Sequence, residues 1–302
     1  ASIKINSPIQ LTTIEYCNFI NSYIAIDASL QHERLIVQHC IGMPLYKGII
    51  EDICTDVSEF RDVHWNPNVA SAFSKWGDNL AAWVLANGIG FQFGRSDGPY
   101  LDGIFCIGYD IGISITGQFW RACLNDVYLD LCNYGIYAVE SSDVKFCSIS
   151  NAKILVNWIP ITALGTFAHN SITGSNLWCR RFGIWLTNNN HLIHDNSITG
   201  NQILFNEITD DVHRGLMLTG DRNSVTGNTF TGLNKANGQG IYFYGSANLA
   251  VGNVLYNFNA PPFESDVSSS SYCVVGNIAK GTGAWPADSS GPKLISNNVL
   301  EN

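Results

Sequence analysis

The sequence predicts an all-β solenoid, a parallel β-helix, from three observations. A Gly followed by large apolar residues and then by an Asn-rich turn recurs along the chain, most clearly from Gly183, Gly215 and Gly240. Gly215 and Gly240 are 25 residues apart, and earlier copies at residues 90 and 112 are 22 apart. Periods in the twenties are typical of solenoids. Apolar residues alternate within each copy with a period of two, which indicates strands rather than helices.

The composition agrees with many short strands joined by polar turns. The chain has 302 residues, of which 28 are Gly, and only 14% are charged. Its net charge of −9 argues against nucleic acid or an anionic membrane as a partner. No apolar run reaches the ~18 residues that a membrane span needs. No signal peptide pattern opens the sequence either.

Asn residues at one position of the repeat are expected to stack on each other. Thirteen residues after each of the three coil glycines stand Asn196, Asn228 and Asn253. Strands of neighbouring coils lie about 4.8 Å apart, so amides in register form a ladder of hydrogen bonds. We interpret these Asn residues as structural. Two positions further on, Ile198 and Phe230 are predicted to fill the interior.

We expect one β-helix domain over residues 1–302, in three parts. Residues 1–89 form less regular first coils and include one helix near residues 68–87. Residues 90–258 form the regular coils, and residues 259–302 form final coils that are rich in loops. Neither end shows an obvious cap, although a solenoid needs its terminal coils covered. The chain is therefore expected to be part of something longer or to be covered by partner subunits.

The cysteine and histidine patterns predict neither disulfides nor a metal site. Nine Cys is an odd number, and no C-x-x-C spacing occurs. Cys106, Cys132 and Cys147 lie within apolar alternation, where a Cys is usually a small buried hydrophobe. His191 and His194 are three residues apart on a predicted strand and face opposite sides. We expect reduced thiols, no metal and no cofactor.

With these coils, the chain resembles the right-handed parallel β-helices of the pectate-lyase-like superfamily over roughly residues 90–258. Within that group it looks most like phage tailspike depolymerases and related carbohydrate-active enzymes. The resemblance implies a polysaccharide substrate, a homotrimer and an extracellular or virion-associated location. It lies in the coil pattern and not in a catalytic motif, so it assigns no role to any single residue.

A cluster of acidic residues is the candidate catalytic site. The longest step between coil glycines in the regular region, 32 residues, contains Glu207, Asp210 and Asp211. Glycoside hydrolysis uses two carboxyl groups, about 5–5.5 Å apart for retention or about 6.5–9.5 Å apart for inversion. Crowding raises the pKa of one carboxyl group, which can then donate a proton. We predict that Glu207 pairs with Asp210 or Asp211, or with Asp195 or Asp221 on adjoining coils; a solvated polar loop is the structural alternative.

Outward aromatic residues are the candidate substrate-binding surface. If Ile184 and Leu186 face inward, Trp185 between them faces outward. The same register exposes Tyr242 on a later coil, and it places Tyr137 one coil before Trp185. Such a column offers stacking platforms for sugar rings, although a trimer interface would also bury an apolar stripe. The residues that we predict to bind substrate are Trp185, Tyr242, Tyr244, Trp178, Tyr137, His213 and Arg214.

The function predicted first is a polysaccharide-degrading glycoside hydrolase. A lyase or epimerase is the second possibility, with His213, Arg214 and Tyr242 or Tyr244 recruited to proton abstraction next to a uronate. A fructan transferase would also use two carboxylates and a trimer. From a different class, a non-catalytic glycan-binding spike would need the aromatic column but not the acidic loop.

Overall fold

The computed structural model describes residues 1–6, 11–66, 77–188, 190, 192–206, 213–234, 238–265, 272–281 and 293–301. In these residues the chain forms a parallel β-helix, as predicted, because the strands of successive coils pair in parallel with their neighbours above and below. Among them, no helix has the length and apolarity to cross a bilayer.

The first strands are β1 (Ile3–Lys4), β2 (Thr12–Glu15), β3 (Asn18–Ile20), β4 (Ile24–Ala28), β5 (Leu35–Met43), β6 (Lys47–Glu51) and β7 (Glu59–Trp65). The helix α1 spans Gly77–Asn87. The middle strands are β8 (Ile89–Phe93), β9 (Ser96–Asp97), β10 (Tyr100–Asp102), β11 (Phe105–Ile107), β12 (Ile111–Ile115), β13 (Gln118–Trp120), β14 (Cys123–Asn125), β15 (Tyr128–Ala138), β16 (Asp143–Lys145), β17 (Ser148–Ser150), β18 (Lys153–Ala163), β19 (Thr166–Ala168), β20 (Ser171–Thr173), β21 (Asn176–Cys179), β22 (Phe182–Leu186), β23 (Ile193–His194), β24 (Ser197–Thr199) and β25 (Gln202–Phe205). The last strands are β26 (His213–Thr219), β27 (Ser224–Thr226), β28 (Thr229–Thr231), β29 (Gly238–Tyr244), β30 (Asn248–Val251), β31 (Val254–Tyr256), β32 (Phe263–Ser265), β33 (Tyr272–Val275), β34 (Ile278–Lys280), β35 (Lys293–Ser296) and β36 (Val299–Glu301).

Three long faces surround the core. Face A contains β1, β4, β6, β8, β12, the ends of β15 and β18, β22, β26, β29 and β32. Face B contains β2, the starts of β5 and β7, β10, β14, β17, β20, β24, β27, β30, β33 and β35. Face C contains β3, the ends of β5 and β7, β11, the starts of β15 and β18, β21, β25, β28, β31, β34 and β36. Between faces A and B, the corner sheet contains β9, β13, β16, β19 and β23.

Apolar side chains at alternate strand positions fill the interior in columns. On face A, Ile113, Ile136, Ile161 and Ile184 pair in register and are buried. All nine Cys residues are free thiols, as predicted, and Cys106 is among those packed in the core. The strand alternation read from the sequence therefore describes the interior of the regular coils.

Buried Asn residues form two ladders rather than one. The first contains Asn170, Asn196, Asn223 and Asn248, at the turn before face B. The second contains Asn201, Asn228, Asn253, Asn277 and Asn298, at the turn between faces B and C. In the second ladder the residue before each Asn has a positive φ, and in four of the five it is Gly, which adopts this conformation without a Cβ penalty. Both ladders satisfy buried backbone N–H groups.

The predicted alignment of one coil is wrong by five residues. Asn201, and not Asn196, stacks on Asn228, and Ile203, and not Ile198, pairs with Phe230. The reason is the longer connection from β22 to its ladder Asn, since Leu186 precedes Asn196 by ten residues whereas Leu218 in the next coil precedes Asn223 by five. The long step is thus divided between this connection and the one that leads to β26.

Gly183 lies where two coils approach closely, and its replacement tests the predicted glycine column. A Cβ at this position would stand 2.4 Å from the carbonyl oxygen of Gly215 and 2.3 Å from Cγ2 of Ile203. We expect Gly183→Ala to lower the free energy of unfolding by about 1–3 kcal/mol, because overpacking forces the coils apart. Chemical denaturation would measure this. Gly200→Asn is the matched control, since it adds a side chain where no heavy atom lies within 4 Å, at a φ of 67° that Asn tolerates.

The described part of the predicted helix is α1, and the part before Gly77 lies outside the described residues. Val84 is buried, and its carbonyl accepts the N–H of Gly88 at 2.6 Å, which ends the helix. Asn133 of face A donates its side-chain N–H to the carbonyl of Leu85 at 3.0 Å. The helix is therefore held against the edge of face A.

Candidate functional site

The outer surface of face A carries a continuous column of side chains, which we call the face A column. Its members, in register on successive coils, are Tyr137, Thr162, Trp185, Met217, Tyr242 and Glu264. Trp185 and Tyr242 face outward as predicted, and both are half-buried. Tyr137 stands two coils before Trp185 and not one, because Thr162 on the coil between them was not counted.

Further rings extend the column sideways. The ring of Phe182 lies 4.9 Å from that of Trp185, measured between centroids. The ring of Tyr134 lies 5.1 Å from Tyr137 and 5.7 Å from Trp158, which is exposed. The indole N–H of Trp185 is buried and has no hydrogen-bond acceptor among the described residues. The outer surface of face A therefore has several adjacent aromatic faces.

Charged and amide groups lie at the end of this column. The guanidinium carbon of Arg214 stands 4.6 Å from the ring centroid of Tyr242, a cation–π arrangement. Arg214 Nε donates to the side-chain oxygen of Gln239, whose amide in turn donates to the carboxylate of Glu264. This chain of hydrogen bonds holds Arg214 and Glu264 in place beside Tyr242.

Two further carboxylates, Glu264 and Glu140, were not among the site residues predicted from the sequence. Glu264 is 22 residues after Tyr242, so extending the register by one coil would have found it. Glu140 follows Tyr137 by three residues and lines a polar cleft of about 270 Å³ with Leu164, Thr187, Asn188 and Asn190. Neither residue belongs to a local cluster of charges, so the search for clustered acids passed over both.

Asp195 is fixed in an ion-pair network at the turn before face B. Arg222 donates two hydrogen bonds to its carboxylate, at 2.8 and 2.7 Å, and the ring of His194 lies 2.8 Å away. The Arg222 guanidinium, and then His194, hold the pKa of Asp195 well below its usual range. The carboxylate is therefore ionised near neutral pH, cannot donate a proton and is a weak base. Asp221 is nearby and accepts the N–H of Ser246 at 2.6 Å.

The remaining predicted site residues have separate positions. Glu207, Asp210 and Asp211 lie outside the described residues. Tyr244 is on face A, one outward position beyond Tyr242, whereas Trp178 faces outward on face C. Asp195 and Asp221 belong to the turn before face B. The structure therefore brings Trp185, Tyr242, Tyr244, Tyr137 and Arg214 to one face and separates them from Trp178.

His213 is a core residue, which corrects its prediction as a substrate-binding side chain. Its side chain is 0% exposed and packs against the rings of Phe205 and Phe258 at 5.1 and 5.8 Å. Neither ring nitrogen has a hydrogen-bond partner among the described residues. Burial lowers its pKa to about 4. A neutral imidazole inside the β-helix cannot contact a polymer on the outer surface.

Comparison with known proteins gives likenesses in fold only. No protein-family model matches the sequence, and no curated protein sequence matches it. One similar solved structure is DFA-IIIase from Arthrobacter chlorophenolicus A6 in complex with GF2, which is 11% identical with a TM-score of 0.45 over 88% of this chain and 81% of that chain. Another is the Dettilon tailspike protein gp208, 12% identical with a TM-score of 0.41 over 96% of this chain and 61% of that chain. Both likenesses agree with the parallel β-helix seen in the strand register and concern the chain path alone.

Proposed function

We propose that this protein is a glycoside hydrolase that degrades a cell-surface or extracellular polysaccharide bound along the face A column. The observation that carries the proposal is the column itself, where Trp185, Met217 and Tyr242 stand in register on three consecutive coils. Consecutive coils are about 4.8 Å apart. A polymer lying across the coils therefore meets several of these side chains at once.

The chemistry of the column suits sugar rings. Aromatic side chains present a flat apolar face together with a polar edge, and a pyranose ring has the same two kinds of surface. Arg214 and Glu264 supply a donor and an acceptor next to Tyr242. The column thus combines stacking with hydrogen bonding over several subsites.

The proposed acid and base are carboxyl groups, of which Glu264 is a member of the column. Glu207 with Asp210 or Asp211 remains the proposed pair, and Glu264 joins the candidates because it is a member of the column. Asp195 and Asp221 remain candidates, and an ionised carboxylate such as that of Asp195 is suited to the role of nucleophile and not to that of acid. The acid needs a raised pKa, which a neighbouring carboxylate supplies.

The test is a reducing-end assay over a panel of capsular, O-antigen and plant polysaccharides. The variants are Glu207→Gln, Asp210→Asn, Asp211→Asn and Glu264→Gln, with Asp78→Asn as the control because Asp78 is exposed on helix α1. We expect new reducing ends without the ultraviolet absorbance of an unsaturated uronate, and loss of turnover in at least one variant but not in the control.

Other results would favour the other functions. Reducing ends that appear together with unsaturated uronate absorbance would mean a lyase. In that case Arg214 and Tyr242 become the residues to replace, since His213 is buried. Transfer of fructosyl units without net hydrolysis would mean a transferase. Binding without any cleavage across the panel would leave a glycan-binding spike.

Trp185→Ala should weaken polysaccharide binding by about 10–100-fold, because a central aromatic residue of a binding surface commonly contributes about 2 kcal/mol or more. Titration of an active polysaccharide against a catalytically inactive variant would measure the Kd. Trp178→Ala is the matched control, since Trp178 is equally half-buried but faces outward on face C. Equal weakening by both substitutions would mean that the polymer does not lie along face A.

We further propose a homotrimer that is extracellular or virion-associated. Apolar side chains on the outside of face C support an interface, since Ile20 and Ile41 are neighbours in the first coils and both are exposed. Sedimentation equilibrium would test the trimer: a monomer at all concentrations contradicts it.

A further inference from the structure

We propose that His32, Glu51 and Cys54 form a binding site for a divalent transition metal of the zinc class inside the first coils. The side chains of these three residues are 1%, 0% and 0% exposed. Their ligand atoms all lie within 4.8 Å of one another. This site is independent of the proposed hydrolase, because the first coils lie several coils away from Trp185.

The orientation of His32 is what a metal-binding imidazole requires. Its Nδ1 lies 2.9 Å from the carbonyl oxygen of Leu30. A carbonyl oxygen can only accept, so Nδ1 carries the proton and the lone pair of the neutral ring is on Nε2. Metal-bound His residues are generally oriented in this way, by donating the other N–H to a carbonyl or carboxylate. Nε2 has no hydrogen-bond partner among the described residues.

Glu51 faces the same point from the neighbouring coil. Its Oε1 accepts a hydrogen bond from the hydroxyl of Ser96, whereas its Oε2 has no hydrogen-bond partner in the described part of the chain. Oε2 lies 3.9 Å from Nε2 of His32. This distance is too long for a hydrogen bond. With the ring neutral, these two buried polar atoms therefore have no hydrogen-bond partner among the described residues, an arrangement that costs free energy unless a third group lies between them.

A zinc ion matches this separation and these ligand types. Zinc bonds to nitrogen and oxygen are about 2.0–2.2 Å, so two such ligands at a tetrahedral angle are about 3.4 Å apart. The observed 3.9 Å reaches that value with a movement of about half an ångström. Imidazole, carboxylate and thiolate are all zinc ligands, and a thiolate disfavours magnesium and calcium.

Cys54 completes the set. Its Sγ lies 3.2 Å from the hydroxyl of Ser58, and its thiol can donate to the carbonyl oxygen of Asp56 at 2.9 Å or of Glu33 at 3.2 Å. On binding, the metal would replace the thiol proton, and the thiolate would accept from the Ser58 hydroxyl. The backbone of Cys54 bridges those of His32 and Ser96 on the coils on either side, so the ion would join neighbouring coils near one end of the solenoid.

The test begins with the wild-type protein, freed of metal with a chelator and kept reduced. We expect one equivalent of Zn²⁺ to bind and the Tm to rise, since a ligand that binds only the folded state stabilises it. Co²⁺ should bind at the same site and give the near-ultraviolet thiolate charge-transfer band. Absence of stoichiometric Zn²⁺, or a Co²⁺ spectrum without the thiolate band, overturns the proposal without any variant.

Variants then identify the ligands. Cys54→Ser should abolish the Co²⁺ charge-transfer band, whereas Cys179→Ser should retain it, because Cys179 is equally buried but belongs to no such cluster. Ser96→Ala, which removes the hydrogen bond to Glu51, should weaken Zn²⁺ binding by about 10–100-fold. A charge-transfer band that persists in Cys54→Ser contradicts the assignment. Circular dichroism of each variant shows whether it is folded.

Discussion

Asn228→Ala is expected to lower the free energy of unfolding by about 3–5 kcal/mol. The side chain is 0% exposed and lies in the middle of the second ladder. Its Nδ2 donates to the carbonyl of Ile198 at 2.8 Å and to Oδ1 of Asn253 at 3.0 Å. Its Oδ1 accepts the backbone N–H of Asn201 at 2.9 Å and the side-chain N–H of the same residue at 3.0 Å. Removal leaves buried groups on both neighbouring coils without partners, at about 1–3 kcal/mol each.

Urea denaturation followed by circular dichroism measures this change. Asn259→Ala is the matched control, because Asn259 is exposed and its side chain donates one hydrogen bond, to the carbonyl of Asn234 at 2.9 Å. We expect the control to cost less than about 1 kcal/mol. If the two substitutions cost the same, the ladder does not contribute to stability. A second transition that appears only in Asn228→Ala would mean that the coils on the two sides unfold separately.

The stability of the wild-type protein is expected to fall as the pH drops from about 6.5 to about 4, by up to about 3 kcal/mol through His213 alone. Burial lowers the pKa of this imidazole to about 4, from 6.5 in the unfolded chain. Between these two values the unfolded state binds a proton that the folded state does not. The contribution of His213 is therefore fully present above pH 6.5, is lost as the pH falls, and changes no further below pH 4.

The measurement is the free energy of unfolding as a function of pH for wild type and for His213→Phe, an apolar replacement that packs against Phe205 and Phe258. The variant should lose this part of the slope between pH 6.5 and pH 4. His169→Phe is the control, since His169 is exposed and stacks on Phe146 at the surface. An unchanged slope in His213→Phe would contradict the core position of this residue, and loss of polysaccharide binding without loss of stability would return it to the site.

These two predictions concern the scaffold that holds the proposed site. Trp185 and Tyr242 keep their spacing because the inward neighbours of each, such as Ile184 and Ile241, are buried in the stacked core. Rigid strands position a binding surface more accurately than loops do. Damage to the ladder should therefore weaken binding along face A even though no ladder Asn is part of the face A column.

Much of the fold could be predicted because it repeats. The period identifies the coil, and alternation identifies which side chains of a strand face inward. The glycine column at Gly183, Gly215 and Gly240 was located correctly because only a residue without Cβ fits where coils meet. Buried Cys and Asn residues followed from the same reasoning. These are local properties of each coil, so they can be read from the amino-acid sequence by itself.

The positions of residues that depend on the length of a connection or on a bend in a strand were decided by the tertiary structure alone. Five extra residues between Leu186 and Asn196 placed Asn196 in a different ladder from the one predicted. Alternation counted back from Leu216 and Leu218 would turn Arg214 inward and His213 outward. The strand changes its phase at Gly215, however, so Arg214 faces outward and His213 is buried. A period of two holds only while a strand stays regular.

The proposed metal site is a second case in which the sequence does not show which residues are neighbours, here between residues on different coils. His32 and Glu51 are nineteen residues apart, without any spacing that sequence motifs of zinc sites would reveal. They meet because Glu51 lies on the coil that stacks next to the coil of His32. This stacking places Oε2 of Glu51 3.9 Å from Nε2 of His32. The sequence thus determined the repeat, the strands and the outward aromatic residues of face A. Only the stacking of the coils decided which polar side chains are neighbours, because that depends on the length of every turn between them.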